Sequence, residues 1–266
     1  MELITAYAGA CAIGLVLGLM GGGGSILTVP LLVYVMGINP VLATGYSLFI
    51  VGFTAAFGGV QNFLKGNVAI KQGLLIAVPS FLTVYCTRRY IVPSLPKIII
   101  DTKNVTLYKD TFIMALFAII MLLAALSMLT KKETTHLPEI KTEKNSYISI
   151  LPYIILTGIT MGIVGAGGGF LIIPMLVFFG KLNMKKAVGT SLLIIAVNSL
   201  TGFLGDLHNT TINWQFLLSF TAISIFGIFV GSYLHRYVNE KQLKKGFGVF
   251  ILVMACFILS KEVFGY

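Results

Sequence analysis

Charge is scarce in this chain. Only 11% of its 266 residues are Asp, Glu, Lys or Arg, against about a quarter in an ordinary soluble domain. From Leu3 to Leu64, 62 consecutive residues include no Asp, Glu, Lys, Arg or His. Hydrophobic residues make up 57% of the chain, and the mean hydropathy is +0.94. A water-soluble fold of this size lacks the interior to hide so much apolar side chain. The composition excludes a soluble enzyme, a nucleic-acid-binding domain and a disordered chain. The solvent it fits is the lipid bilayer.

Cysteine and histidine are also sparse. Cys11, Cys86 and Cys256 form no CxxC and lie inside apolar segments. They read as small buried hydrophobes, with a thiol relay as the alternative. His136, His208 and His235 fall in or near separate loops without ligand spacing, so no metal site and no cofactor is expected. Acid is scarcer than base, 9 Asp+Glu against 19 Lys+Arg, for a net charge of +10. The basic residues cluster between apolar runs, as in a positive-inside membrane protein, so nucleic acid is not an expected partner. The uncharged opening stretch is too long for a signal peptide, and Glu2 is the only charge before it. A multi-pass protein of the plasma or inner membrane is expected.

Glycine, by contrast, is abundant at 29 residues, and it recurs in register. Shifting the chain by 144 positions lays GLVLGLMGGGGSILTVPLLV, from Gly14, on GITMGIVGAGGGFLIIPMLV, from Gly158. Between Gly14 and Gly58, 16 of 45 positions are identical without a gap. The matches include Gly21 with Gly165, Gly23 and Gly24 with Gly167 and Gly168, Pro30 with Pro174, Asn39 with Asn183 and Ser47 with Ser191. The expected fold is therefore an all-α membrane protein, a polytopic helical bundle of two homologous repeats. Residues 1–130 form the first repeat, 131–146 a polar inter-repeat loop, and 147–266 the second repeat.

Each half reads as five helical segments: 3–20, 25–36, 41–64, 72–90 and 111–130, then 147–164, 169–180, 185–205, 213–234 and 245–260. The second segment of each half has about 12 residues, or about 18 Å at the helical rise, too short for a hydrocarbon core of about 30 Å. GGGGS at 21–25 and GAGGG at 165–169 stand in front of these short segments. A glycine costs about 1 kcal/mol in a helix interior, so such a run is expected to break the helix or fold it into a re-entrant hairpin. Irregular backbone at membrane depth survives only where it is buried in protein or lines a cavity. Close packing through small residues is the alternative. An inverted repeat is favoured over a parallel one because it brings both breaks to one central site. Loop charge satisfies the positive-inside rule in either arrangement, and both leave Lys181–Lys186 cytoplasmic.

A helix start exposes unpaired N–H groups and a positive dipole end, a ready anion site. The candidate substrate-binding residues are Gly21, Gly22, Gly23, Gly24 and Ser25 in the first half, with Thr44, Tyr46 and Ser47 one helix later. In the second half they are Gly165, Gly167, Gly168 and Gly169, with Thr190 and Ser191. These neutral donors suit a small oxyanion near the midplane, although Ser47 and Ser191 also suit plain interhelical hydrogen bonding. Asp206 is the only acid inside the helical region away from the termini, at a segment end. It reads as a loop carboxylate, with a proton relay as the alternative. Trp214 and Tyr90 read as interface anchors.

The motif GLxxGLxGGGGSxLxVPLL followed by NPxxATGYSL resembles the TauE/SafE (TSUP) family of sulfite and organosulfonate permeases. The second half repeats it as GxxxGxxGxGGGxLxxPxL and AVGTSL, so the resemblance covers nearly the whole chain. It implies a secondary transporter for a small sulfur-containing or organic anion, with the glycine motifs at its site. The alternative is an anion channel using the same site. A membrane-embedded enzyme fits less well, since no nucleophile–base pair is visible. Tyr46 stands where the second half has Thr190, so the two halves of the site are not equivalent. The implied partners are a small anionic substrate and the lipid bilayer, with homo-oligomer formation left open.

Overall fold

The computed structural model describes residues 2–20, 25–102, 105–130, 146–165, 167–178, 180–207, 212–234, 237 and 240–264. Gly21, Gly22, Gly23 and Gly24, the first glycine run, lie outside the described residues. Among the described residues the protein is helical, with one small hairpin. Five helices among the described residues are long and apolar enough to cross a membrane. It is a polytopic helical membrane protein, as its composition requires.

In chain order the helices are α1 (Glu2–Met20), α2 (Ser25–Val35), α3 (Pro40–Leu64), α4 (Ile70–Ser94), α5 (Lys109–Thr130), α6 (Ser146–Val164), α7 (Gly169–Phe178), α8 (Met184–Asp206), α9 (Trp214–Leu234) and α10 (Glu240–Phe264). The chain divides into two compact units. The first holds Met1–Pro93 and Lys141–Arg236, hence α1 to α4 and α6 to α9. The second holds Ser94–Ile140 and Tyr237–Tyr266.

In the second unit α5 packs on α10, and a hairpin of β1 (Ile98–Thr102) and β2 (Val105–Tyr108) precedes α5. The strands pair antiparallel, Asp101 opposite Thr106 and Thr102 opposite Val105. Lys109 N donates to Lys97 O at 2.9 Å, tying the base of the hairpin to the start of α5. The stretch lies between the predicted fourth and fifth helical segments, 72–90 and 111–130. Its signal is there: β-branched Ile98–Ile100 and Val105–Thr106 flank a short polar turn.

In the first unit the spans start from matched caps. The side chain of Asn39 accepts from Val41 N at 3.0 Å ahead of α3, and that of Asn183 accepts from Lys186 N at 2.9 Å ahead of α8. Each satisfies one N–H that the helix leaves unpaired. Small residues then let the helices close up, as expected where lipid gives no hydrophobic drive to helix pairing. Gly14 and Gly18 of α1 lie against the backbone of α9 at Ser224, Ile228 and Gly231, and Ser224 Oγ donates to Ala10 O at 2.9 Å. Gly158 and Gly162 of α6 lie against α4 at Ser80, Thr83 and Thr87. For these four glycines, packing is the role.

Helix directions follow from the same contacts. On α3 and α8, Gly45 meets Asp206, Gly52 meets Leu200 and Gly59 meets Leu193, so the two run antiparallel. On α4 and α8, Gly73 meets Thr190, Ser80 bonds Asn198, Val84 meets Gly202 and Arg88 bonds Asp206, so these two run parallel. Helices α1 and α9 also run parallel.

The cysteines depart from expectation. Cys11 is half-buried, and Cys86 and Cys256 are exposed. They sit on outward helix faces rather than in the core, where lipid accepts a thiol as readily as protein does.

Candidate functional site

Helix α6 ends at Val164 and α7 begins at Gly169. Between them the chain turns on glycines with positive φ: Gly165 at 71°, Gly167 at 64° and Gly168 at 65°. Gly165 needs its missing side chain twice over. Its φ is rare for any L residue. A Cβ there would sit 2.5 Å from both the Cβ and the carbonyl oxygen of Thr44, and 2.6 Å from Nη2 of Arg88. One turn of backbone is thereby laid directly on α3 and on a guanidinium.

Arg88 is the residue that sequence reading missed. It lies near the end of the predicted fourth segment, 72–90, where it reads as one more basic residue at the edge of an apolar run. The structure places it inside α4, fully buried, where Thr87–Ile91 is wound as a π-helix. Such a turn re-aims side chains relative to a regular helix and is frequent at functional sites. Gly205 of α8 comes in beside Arg88 Cβ and the backbone of Tyr85 and Arg89, so that α8 closes over this turn.

Arg88 Nη1 donates to Asp206 Oδ2 at 3.0 Å, with side-chain exposures of 0% and 8%. Asp206 is thus not a loop carboxylate. It is the last residue of α8, held against α3, where a Cβ on Gly45 would lie 2.8 Å from Oδ2. The sequence signal was weak, because an acid at a segment end is normally solvated. Its burial depends on an arginine 118 positions away.

The pair leaves much of the guanidinium unused. Nε and Nη2 of Arg88 are buried and have no hydrogen-bond partner among the described residues. Unpaired N–H groups of a buried cation are costly, because each forfeits its water without a replacement. Ser47 Oγ and Ser199 Oγ are likewise buried without a partner. Ser47 shares the face of α3 that carries Thr44 and Val51, three and four residues to either side. Thr44 meets Gly165, and Val51 meets Gly167. Ser199 Oγ is 2.9 Å from where a Cβ on Gly167 would stand. The glycine turn therefore runs from Arg88 down to Ser199, along a line of donors with no protein acceptor. At its lower end begins α7, whose first N–H groups and dipole are positive.

The other expected residues divide. Thr44 and Gly165 come together at Arg88, Gly167 lies against Val51, Ile195 and Ser199, and Ser47 lies on the face of α3 that carries Thr44 and Val51. Gly168 packs on Met161, and Gly169 is buried as the first residue of α7. Ser25 is fully buried at the start of α2. Tyr46 turns elsewhere: its hydroxyl accepts from Asn213 N at 2.8 Å, ahead of α9. Thr190 Oγ1 accepts from Ala69 N at 2.9 Å near the opposite end of α8, and Ser191 Oγ donates to Val188 O at 2.8 Å within its own helix. Tyr46 and Thr190 thus tie α3 and α8 to neighbouring segments, and Ser191 bonds within its own helix. The cluster lies toward one end of α3, α4 and α8, with Gly167 reaching deeper.

The sequence pattern of the family described as Sulfite exporter TauE/SafE matches residues 6–258. A probable membrane transporter protein of Xylella fastidiosa (strain 9a5c) is 30% identical over 265 residues, covering 98% of this chain and 96% of its own. The probable membrane transporter protein YunE of Bacillus subtilis is 24% identical over 273 residues, covering 94% and 95%. A probable membrane transporter protein of Methanocaldococcus jannaschii, MJ0441, is 34% identical over 126 residues, covering 44% and 47%. No solved structure matches. On a match spanning nearly its whole length, the chain belongs to the sulfite exporter TauE/SafE family.

Proposed function

We propose that this membrane transporter carries a small oxyanion, of the sulfite or sulfonate class, and binds it at the turn before α7. One observation carries the reading: a fully buried arginine has two nitrogens, Nε and Nη2, without an acceptor among the described residues, and a glycine turn approaches it closely enough to leave no room for a side chain. A planar guanidinium edge matches two oxygens of an oxyanion in a fork-like pair. Hydroxyls of Ser47 and Ser199 and the start of α7 add neutral donors. Gly21 to Ser25 are the equivalent elements of the first half in this reading.

Transport by alternating access suits two inverted halves, and exchanged contacts support that arrangement. Gly58 of α3 meets Ile228 of α9, and Gly202 of α8 meets Val84 of α4. Shifting each residue by 144 positions turns the first contact into the second. Gly45 with Asp206 and Gly189 with Asn62 form a second such pair. Because α3 and α8 run antiparallel, equivalent spans would point in opposite directions.

The test is binding by the purified protein of sulfite, thiosulfate, sulfoacetate, taurine and plain carboxylates, read as thermal shift. Stabilisation by an oxyanion that disappears in Arg88→Gln supports the reading, and equal stabilisation of both proteins overturns it. In liposomes, saturable flux with counterflow marks a carrier and single-channel current marks a channel.

A further inference from the structure

The arginine offered to the substrate is already half spent on a carboxylate. Arg88 Nη1 serves Asp206 at 3.0 Å, while Nε and Nη2 of the same group have no partner. The bare pair is neutral and buried. An anion added on the open edge would leave two negative groups sharing one guanidinium, at a place where Asp206 has only 8% side-chain exposure and Arg88 none. Water is too scarce there to screen the surplus charge, and an unbalanced buried charge is strongly disfavoured.

We infer that Asp206 takes up a proton as the anion binds, so that the protein moves one proton with each monovalent anion. This rests on the anion reading above. The step balances: the carboxylate of Asp206 accepts a proton from the water on the side to which the site is open. Its bond to Nη1 is then no longer charge-assisted, and the guanidinium passes to the anion. The occupied site is neutral again. On release to the other side the proton leaves and the Arg88–Asp206 pair re-forms.

The surroundings assign the proton to Asp206. It is the only acidic residue on α3, α4, α6, α7 and α8. Among the described residues, titratable and charged groups on the elements packed around it are few; His208, two positions further along the chain, lies outside the described residues. Helix α3 brings Tyr46, whose hydroxyl is bonded to Asn213 N. Helix α4 brings Arg88 itself, Arg89, Tyr85, Cys86 and Tyr90, with Lys71 at its far end, and α8 has Lys185 and Lys186 at its far end. Thr87 of α4 lies against α6 at Gly162, and the described residues of the turn into α7, Gly165, Gly167 and Gly168, bring no titratable group. None of these replaces a carboxylate as the acceptor of a proton beside the guanidinium.

The test uses the full chain in liposomes and methanesulfonate, whose charge does not change across the working pH range. A methanesulfonate gradient should drive proton entry, read by a trapped pH dye, at one proton per anion and without response to membrane potential. Asp206→Asn should still pass the anion, but with no proton and with flux that follows the potential. Wild-type affinity measured between pH 5 and 8 should weaken up to tenfold per pH unit in the range where Asp206 must be re-protonated. This second measurement stands even if the variant fails to fold. Binding with a flat pH response, or proton entry unchanged in Asp206→Asn, overturns proton coupling and leaves the anion reading in place. No binding of methanesulfonate or any anion of the thermal-shift panel removes both.

Discussion

Nη2 of Arg88 lies 2.6 Å from the point where a Cβ on Gly165 would project. The close approach joins the glycine turn, read from sequence, to a buried cation that was not among the expected site residues. Four expectations follow from that cluster and the scaffold around it.

Gly165→Ala should separate backbone strain from site geometry. Forcing a side chain into the left-handed region costs about 1–2 kcal/mol. At Gly165 the methyl also meets Thr44 and Arg88. Gly37, with φ of 64° and nothing within 4 Å of a Cβ, is the control. Both variants should melt lower, and only Gly165→Ala should also lose oxyanion-induced stabilisation. Retained stabilisation in Gly165→Ala would disconnect the turn from binding.

Arg88→Met strands Asp206 as a buried charge, which costs about 3–5 kcal/mol when one partner of a buried pair is removed. Adding Asp206→Asn removes that charge. The double variant should therefore be more stable than Arg88→Met alone and still fail to bind an oxyanion. Thermal unfolding in detergent measures the first outcome and ligand-induced shift the second.

Ser47→Ala and Ser199→Ala remove hydroxyls that have no protein partner. Loss of an unpaired buried hydroxyl should leave stability unchanged or slightly raised. Oxyanion affinity should fall by about 1 kcal/mol for each, the net worth of one hydrogen bond. Ser80→Ala should behave in the opposite way. Its Oγ donates to Asn198 Oδ1 at 2.9 Å between α4 and α8, so about 0.6 kcal/mol of stability should be lost while affinity holds. Titration of each variant alongside its melting curve distinguishes the two kinds of serine.

Lys65→Cys and Lys185→Cys, each placed in a background without the three native cysteines, test the direction of the halves. Lys65 follows α3 and Lys185 opens α8. Inverted halves place both on one side of the membrane, where one impermeant thiol reagent should label both. Parallel halves place them on opposite sides, and labelling from opposite sides would rule out inversion.

Much of this protein is decided by sequence alone. A 62-residue stretch without charge has no soluble fold open to it, so bilayer residence follows from solvation energy before any contact is known. Glycine runs interrupt helices for local reasons, and Asn39 and Asn183 cap helices through bonds two or three residues away. Charges and hydroxyls obey no such local rule. Whether Arg88 is a loop cation or a buried ligand depends on Asp206 and Gly165, both distant in the chain. The same holds for Tyr46, bound to the backbone ahead of α9, and for Thr190, bound to the backbone ahead of α4. Only the tertiary structure brought these groups together, because a buried polar group is placed by its partner rather than by its neighbours in sequence.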